Sequence, residues 1–221
     1  MSVSHGNLSF EWFGYATVRM ETSDNQVIYI DPGRYNVLEG MEPKDADIVL
    51  VTHDHHYDPD AISRVSKEDT AVVAYEKIDT SELDKEIIKL EYGGELDIRG
   101  IGVRAVPAYN LEDGDHVRSN GEPYHRKGDV VGLLLDIEGV SVYFPSDTDF
   151  LDEHRNLDVD VFIPPIGGGP TMDRHEAAEF VEALEPELVL PVHYNTFPAI
   201  ETDPKAFKRD VESKGIEVAL L

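Results

Sequence analysis

The sequence predicts a layered α/β domain, and three observations carry that expectation. Short runs rich in Val, Ile and Phe recur along the chain and read as strands. Helical patterns with clear N-terminal signals follow strands late in each half. Polar residues, His and Asp above all, stand just past the ends of three of those strands, where α/β folds assemble their sites.

The elements follow in order. Leu8–Phe13, Thr17–Glu21 and Val27–Ile30 alternate apolar and polar residues and are separated by Gly14 and by Ser23-Asp24-Asn25, so they read as strands joined by turns. Asp47–Val51 is a continuous buried-type strand that ends at Thr52-His53. Pro59–Val65 predicts a short helix, with Asp58 as N-cap and Pro59 at its first position. Thr70–Tyr75, Ile87–Glu91, Glu95–Ile98 and Val103–Pro107 predict further strands. A polar excursion from Leu111 to Asp129 is too long for an ordinary connection, and such loops are usually functional. Val130–Ile137 and Val140–Phe144 form a hairpin across Glu138-Gly139. Val159–Ile163 is a strand leading into Pro164-Pro165 and the triple glycine Gly167–Gly169. Asp173–Leu184 is the clearest helix: Asp173 caps it, Glu176 follows three residues on, and Ala177, Phe180, Val181 and Leu184 share a face. Leu188–Val192 is a strand, Asp203–Ser213 a helix and Glu217–Leu220 a last strand. Residues 1–221 are read as a single domain.

Composition narrows the function classes. The chain has no cysteine, which removes disulfides, thiolate metal sites and cysteine nucleophiles. No apolar run is long enough to span a membrane, and the N-terminus lacks a signal-peptide pattern, so a cytoplasmic protein is expected. A formal net charge of −26 on 221 residues lies far outside the usual range for a small domain. Such a surface repels phosphates and anionic lipids, so neither nucleic acid nor membrane is an expected partner. The acid excess points to salt adaptation, with an ordinary acidic protein as the alternative.

The chemistry concentrates in Thr52-His53-Asp54-His55-His56-Tyr57-Asp58. Imidazoles and carboxylates are the ligands available to zinc, iron or manganese when no thiol is offered. In an extended segment His53 and His55 face the same side and can converge on one ion. Asp147, after Val142–Phe144, can bridge two cations, and His193, directly after Leu188–Val192, can complete a second coordination sphere. His5, His154 and His175 are read as ordinary, and His116 as a surface residue. Gly167–Gly169 is read equally as an anion-binding loop or as a tight turn. Lys127 is read as a solvated lysine rather than as a contact to an anionic substrate.

The ordered motifs resemble those of metallo-β-lactamase-fold metal-dependent hydrolases, in the branch that includes L-ascorbate-6-phosphate lactonase-like proteins. They are Trp12-Phe13-Gly14-Tyr15-Ala16-Thr17, Tyr29-Ile30-Asp31-Pro32, Thr52-His53-x-His55, Val106-Pro107-Ala108-Tyr109-Asn110 with His125-Arg126-Lys127-Gly128, Ser146-Asp147-Thr148-Asp149, Pro165-Ile166-Gly167-Gly168 with Thr171-Met172-Asp173, and Pro191-Val192-His193-Tyr194. The resemblance implies a four-layer αββα sandwich and, with the acid excess, a haloarchaeal member.

It also implies a site. His53, His55 and His125 hold one divalent ion, His193 and a residue of the 54–58 run hold a second, and Asp147 bridges them; the ions are Zn²⁺, with Mn²⁺ or Fe²⁺ as alternatives. His125 stands in for a histidine that many relatives carry where this chain has Asn110, and Tyr15 replaces another. The family signature is His-x-His-x-Asp-His, and this chain departs from it after His55. Without a gap, Tyr57 takes the place of the aspartate and Asp58 that of the last histidine. With two residues deleted, His56 becomes the last histidine and the aspartate is missing, leaving Asp54 or Asp58 as replacements. The gapped reading is preferred because Pro59-Asp60-Ala61-Ile62 then also matches. The implied activity is metal-assisted hydrolysis of a small molecule such as a lactone or phosphodiester, with Tyr194 or a site aspartate protonating the leaving group. The alternatives are a metal-binding sensor without turnover and, more remotely, redox chemistry at a di-iron site.

Overall fold

In the computed structural model, which describes residues 1–221, the strands form two seven-stranded sheets built on one plan. The first holds β1 (Ser2–His5), β2 (Leu8–Gly14), β3 (Thr17–Glu21), β4 (Val27–Ile30), β5 (Ala46–Val51), β6 (Ser66–Tyr75) and β7 (Ile87–Leu90) in sequence order. The second holds β8 (Glu95–Ile98), β9 (Ile101–Ala108), β10 (Val130–Ile137), β11 (Val140–Phe144), β12 (Val161–Phe162), β13 (Leu188–Val189) and β14 (Glu217–Val218). Each sheet begins as an antiparallel meander and turns parallel at its fourth strand. The inner parallel strands β4, β5, β12 and β13 are almost wholly buried, as strands covered on both faces require, while the edge strands β7 and β14 keep exposed residues.

The helices flank this pair of sheets in a metallo-β-lactamase-type αββα sandwich. α1 (Pro59–Val65) adds Ala61, Ile62 and Val65 to a 41-residue apolar cluster drawn from both sheets. α2 (Arg174–Leu184) and α3 (Pro204–Glu212) cover the second sheet through Phe180, Val181, Phe207 and Val211. All three helices carry an aspartate N-cap, at Asp58, Asp173 and Asp203, each accepting hydrogen bonds from first-turn amides.

Several boundaries differ from the sequence expectation. β12 and β13 are only two residues long, because Pro164, Pro165 and Pro191 have no N–H to give to a ladder. Beyond them the chain still runs parallel, through a Pro165–Val192 bridge. β6 begins four residues before Thr70, because Ser66 pairs with Ala46 of β5, and the polar run Ser66–Asp69 carries no apolar strand signal. β1 was not expected at all: it is polar, and its pairing with β2 defines it.

Candidate metal centre

The ends of β5, β11 and β13 and the excursion before β10 converge on one buried cluster. After β5, Asp54–His56 forms a single 3₁₀ turn, closed by the His56 amide donating to the His53 carbonyl at 3.2 Å. At about three residues per turn, positions i and i+3 eclipse. His53 and His56 therefore share a face, with ring centroids 4.2 Å apart, while His55 lies 5.5 Å from His53 on the side facing His125. The extended geometry expected of this run is replaced by a turn that brings all three imidazoles to one place.

Asp147 sits at the centre. Its carboxylate oxygens lie 3.8 Å from His53 Nε2, 3.5 Å from His56 Nε2, 3.9 Å from His125 Nε2 and 3.3 Å from His193 Nε2. His55 Nδ1 is 3.1 Å from His125 Nε2. Donor atoms around a tetrahedral zinc, bonded at about 2.0–2.1 Å, sit roughly 3.3 Å apart, and the separations here run from 3.1 to 3.9 Å. His53, His55 and His125 form one compact donor group and His53, His56 and Asp147 another. The Nε2 atoms of His53, His56 and His193 and Oδ1 of Asp147 are buried with no hydrogen-bond partner. Buried polar atoms rarely go unpaired, so four of them aimed at one point fit a bound cation.

The protonation states agree with that fit. Burial holds His53 well below its ordinary pKa, and it lowers His125 and takes His193 down to about 4. These three imidazoles are neutral, as ligation requires. Burial opposes ionisation of Asp147, but His193, His56, His53 and His125 outweigh it and hold the carboxyl below its usual range. His56 is the exception. Burial works against its charge, yet Asp147 and Asp31 raise its pKa.

A supporting layer explains the precision. Asp31 Oδ2 accepts from His56 Nδ1 at 2.8 Å and from Thr52 Oγ1 at 2.7 Å, and its Oδ1 accepts from the Thr52 amide at 2.9 Å. That contact fixes the His56 proton on Nδ1 and leaves Nε2 free, the usual carboxylate–histidine support of a metal ligand. Thr52 Oγ1 also meets His53 Nδ1 at 3.0 Å and Ser146 Oγ at 2.8 Å. His125 is clamped by Asn110, whose Oδ1 accepts the His125 amide at 2.8 Å and whose amide donates to the His125 carbonyl at 2.9 Å. Asn110 in turn donates to Asp149 Oδ1 at 2.7 Å. Tyr15, Asp31, Ser146 and His193 all have left-handed backbones, a form of strain that concentrates at functional sites. Asp31, Thr52 and Ser146 escaped the sequence reading as functional residues; the Asp31-Pro32 motif was the available signal.

Of the residues read as ligands, His53, His55, His56, His125, Asp147 and His193 come together. Asp58 does not. Its two oxygens are taken by the Ala61 amide, which it caps, and by the Arg34 amide, both at 3.0 Å. Asp54 is exposed and offers its carbonyl to Arg34 at 3.2 Å, and Tyr57 packs against the apolar core. The gapped reading, with His56 as the last histidine, is the one this arrangement favours. Tyr194 is also elsewhere, buried in the second apolar cluster and stacked on Trp12 at 4.6 Å. The tyrosine beside the cluster is Tyr15, whose ring lies 4.3 Å from that of His193 and whose carbonyl accepts the His193 amide at 2.7 Å.

The remaining histidines lie outside the cluster, with His175 exposed in the first turn of α2. His5 lies in β1, 3.5 Å from Glu187. His154 is buried against the Tyr143 hydroxyl at 2.9 Å. His116 is not a free surface residue. Its Nε2 meets Glu176 Oε2 at 2.8 Å and its Nδ1 meets the Gly169 carbonyl at 3.1 Å, which latches the excursion onto α2. The glycine run is a close-packed turn: a Cβ on Gly167 would strike the His193 carbonyl oxygen and Ile200. Lys127 lies over the Tyr109 ring and near Glu153, away from the cluster.

Two sheets that each end in polar loops around a histidine–aspartate cluster define a class. Residues 9–193 match the beta-lactamase superfamily domain, and the chain belongs to that superfamily. Within it, the chain belongs to the UPF0173 metal-dependent hydrolase family. It is 32% identical to the family member of Methanopyrus kandleri, with 95% of this chain and 94% of the relative covered, and 36% identical to that of Pyrococcus horikoshii, with 96% and 95% covered. Among solved structures it resembles Igni18, a metallo hydrolase of the archaeon Ignicoccus hospitalis, at a TM-score of 0.75 and 28% identity, covering 97% and 94% of the two chains. CmlA, a diiron β-hydroxylase of Streptomyces venezuelae, shares the fold at a TM-score of 0.68 and 17% identity, with 99% of this chain and 53% of CmlA covered. No helix is long and apolar enough to cross a membrane.

Proposed function

We propose that the protein hydrolyses a small-molecule ester, lactone or phosphodiester at a centre of one or two divalent ions, zinc first among them. The observation that carries this reading is the set of orphaned, buried Nε2 and Oδ1 atoms directed at one point. His53, His55 and His125 would hold one ion, His56 and His193 the second, and Asp147 would serve both. An ion held there supplies Lewis acidity, lowering the pKa of a bound water from 15.7 towards about 7 and polarising the acyl or phosphoryl oxygen under attack.

The chain's own residues do the rest. Asp31 keeps the proton of His56 on the side away from the cluster, and Asn110 holds His125 in place. Tyr15 lines the open cleft beside Asp147 and stays protonated, because burial and the charge of Asp147 raise its pKa. We assign to Tyr15, rather than Tyr194, the hydrogen bond to the departing oxygen. His53, His56, His125 and His193 are buried beneath the cleft, while His55 is exposed and lines it. The lactonase-like branch remains our reading of the motifs. A salt-adapted setting is our reading of the −26 charge.

His53→Ala and Asp147→Ala test the assignment. Each should lose metal and lose turnover of lactone, phosphodiester and thioester substrates while staying folded. Wild-type turnover in either variant contradicts it, and full metal loading without turnover in the wild type favours a sensor instead.

A further inference from the structure

The cleft above the cluster has a charge opposite to that of the protein. It encloses about 670 Å³, and of the chain's 45 acidic residues only Asp147, at its floor, lines it. Two arginines line it, Arg34 from the loop after β4 and Arg118 from the excursion. Arg19, Arg99 and Arg174 sit against carboxylates, whereas Arg34 and Arg118, like Arg64 and Arg104 outside the cleft, pair with none. Their side chains are ordered by carbonyl oxygens instead, which leaves the positive charge unspent: Arg34 donates to the Asp54 carbonyl at 3.2 Å and Arg118 to the Tyr124 carbonyl at 3.1 Å.

Both positions are built rather than incidental. Arg34, Tyr35 and Asn36 are three consecutive non-glycine residues with φ of 59°, 48° and 60°. Left-handed backbone costs non-glycine residues energy and persists only where the surroundings impose it. Asp58 holds the first of the three, by accepting the Arg34 amide with the carboxylate that caps α1. Gly33 permits the approach, since a Cβ there would strike Ala61 and Asp58. Arg118 stands on a tight turn closed by its amide donating to the Glu122 carbonyl at 2.7 Å, and its guanidinium lies 5.1 Å from the centre of the Tyr124 ring. An aromatic wall completes the cleft: Tyr35, 56% exposed, packs at 4.5 Å on Phe197 and at 4.7 Å on Tyr15.

We propose that Arg34 and Arg118 form an oxyanion-binding subsite beside the metal cluster, so that the substrate is an ester or lactone carrying its own carboxylate or phosphate group at a distance from the scissile bond. The proposal rests on the hydrolase reading for the word substrate; the subsite itself does not. Guanidinium groups suit carboxylate and phosphate through paired N–H donors. A positive cleft in an otherwise repellent acidic surface focuses such anions towards the site. Tyr35 and Phe197 would cover the body of the molecule.

The test uses metal-loaded protein, its Arg34→Gln and Arg118→Gln variants and the double variant, in two measurements. The first compares hydrolysis of 4-nitrophenyl butyrate with that of the mono-4-nitrophenyl ester of glutaric acid, which adds a terminal carboxylate. The wild type should prefer the anionic ester. Each variant should lower that preference about tenfold, mainly through KM, as loss of a binding contact does. Equal losses on both esters, or no preference in the wild type, overturn the proposal. The second measurement is calorimetric titration with glutarate, glutaramide and methyl phosphate. Glutarate or methyl phosphate should bind, the tighter one naming the anion, and the double variant should weaken that binding at least about tenfold. Unchanged binding in the double variant means that the anion sits on the metal alone and overturns the subsite. If no ester is turned over, the hydrolase reading fails, and the titration still decides the subsite.

Discussion

Replacing Asp31 by Asn changes one atom and should uncouple the second half of the metal centre. Both carboxylate oxygens of Asp31 are in use and the residue is buried. An asparagine has one acceptor oxygen. The Thr52 backbone N–H cannot turn away, so that oxygen must stay with it, and the new NH₂ group then faces Thr52 Oγ1 and His56 Nδ1. The threonine hydroxyl can rotate. His56 can accept only by moving its proton to Nε2, the atom 3.5 Å from Asp147. A protonated Nε2 cannot ligate. Loss of such outer support typically costs about 10–100-fold in metal affinity, or about 1.4–2.7 kcal/mol. The loss should fall mainly on the ion held by His56 and His193, with the ion at His53, His55 and His125 affected less. Zinc titration against a chelator of known affinity, with near-UV circular dichroism to show the variant folded, reads both constants. Two ions bound as tightly as in the wild type would refute the tautomer argument. Equal weakening at both ions would reduce Asp31 to a general scaffold residue.

Other expectations follow from the same structure. Asp58→Ala removes the cap of α1 and should cost about 1 kcal/mol in denaturant unfolding while leaving the metal count unchanged; loss of an ion would restore Asp58 as a ligand. Burial takes His154 from 6.5 to about 4, so the unfolded chain takes up a proton before the folded one does. Its contribution is therefore complete above pH 6.5 and is lost as the pH falls towards 4, by up to about 3 kcal/mol. His154→Gln should flatten that part of the metal-free stability–pH curve, and an unchanged slope would place the titration elsewhere. Screening shortens the Debye length from about 10 Å at 0.1 M salt to about 3 Å at 1 M, so the melting temperature should climb through a KCl series. A protein equally stable without salt would remove the salt-adaptation reading.

The sequence made most strands and all three helices legible, because apolar periodicity and aspartate caps are local signals. Pro59–Val65 shows this, with its proline start and Asp58 before it. What stayed hidden depends on partners distant in sequence. β1 exists only through β2, and the latch of His116 depends on Glu176 and Gly169 far along the chain. Asp58 shows how composition can mislead: an acid beside three histidines looks like a ligand, yet the helix that starts at the next residue takes its carboxylate as a cap. Tyr194 is a similar case: the left-handed backbone at His193 breaks the strand alternation, so His193 faces the cluster while Tyr194 packs on Trp12 in the apolar layer. Arg34 and Arg118 carried no sequence signal, being two arginines brought into one cleft by loops of different sheets.

The proposed hydrolase chemistry depends on a metal centre shared by Asp147. A crystal structure of the metal-loaded protein, with anomalous maps collected across the zinc, iron and manganese edges, tests it most directly. Two peaks flanking Asp147 are expected, one contacted by His53, His55 and His125 and the other by His56 and His193. A loaded protein whose peaks avoid Asp147, or fall at Asp58 or at His116 and Glu176, would contradict it.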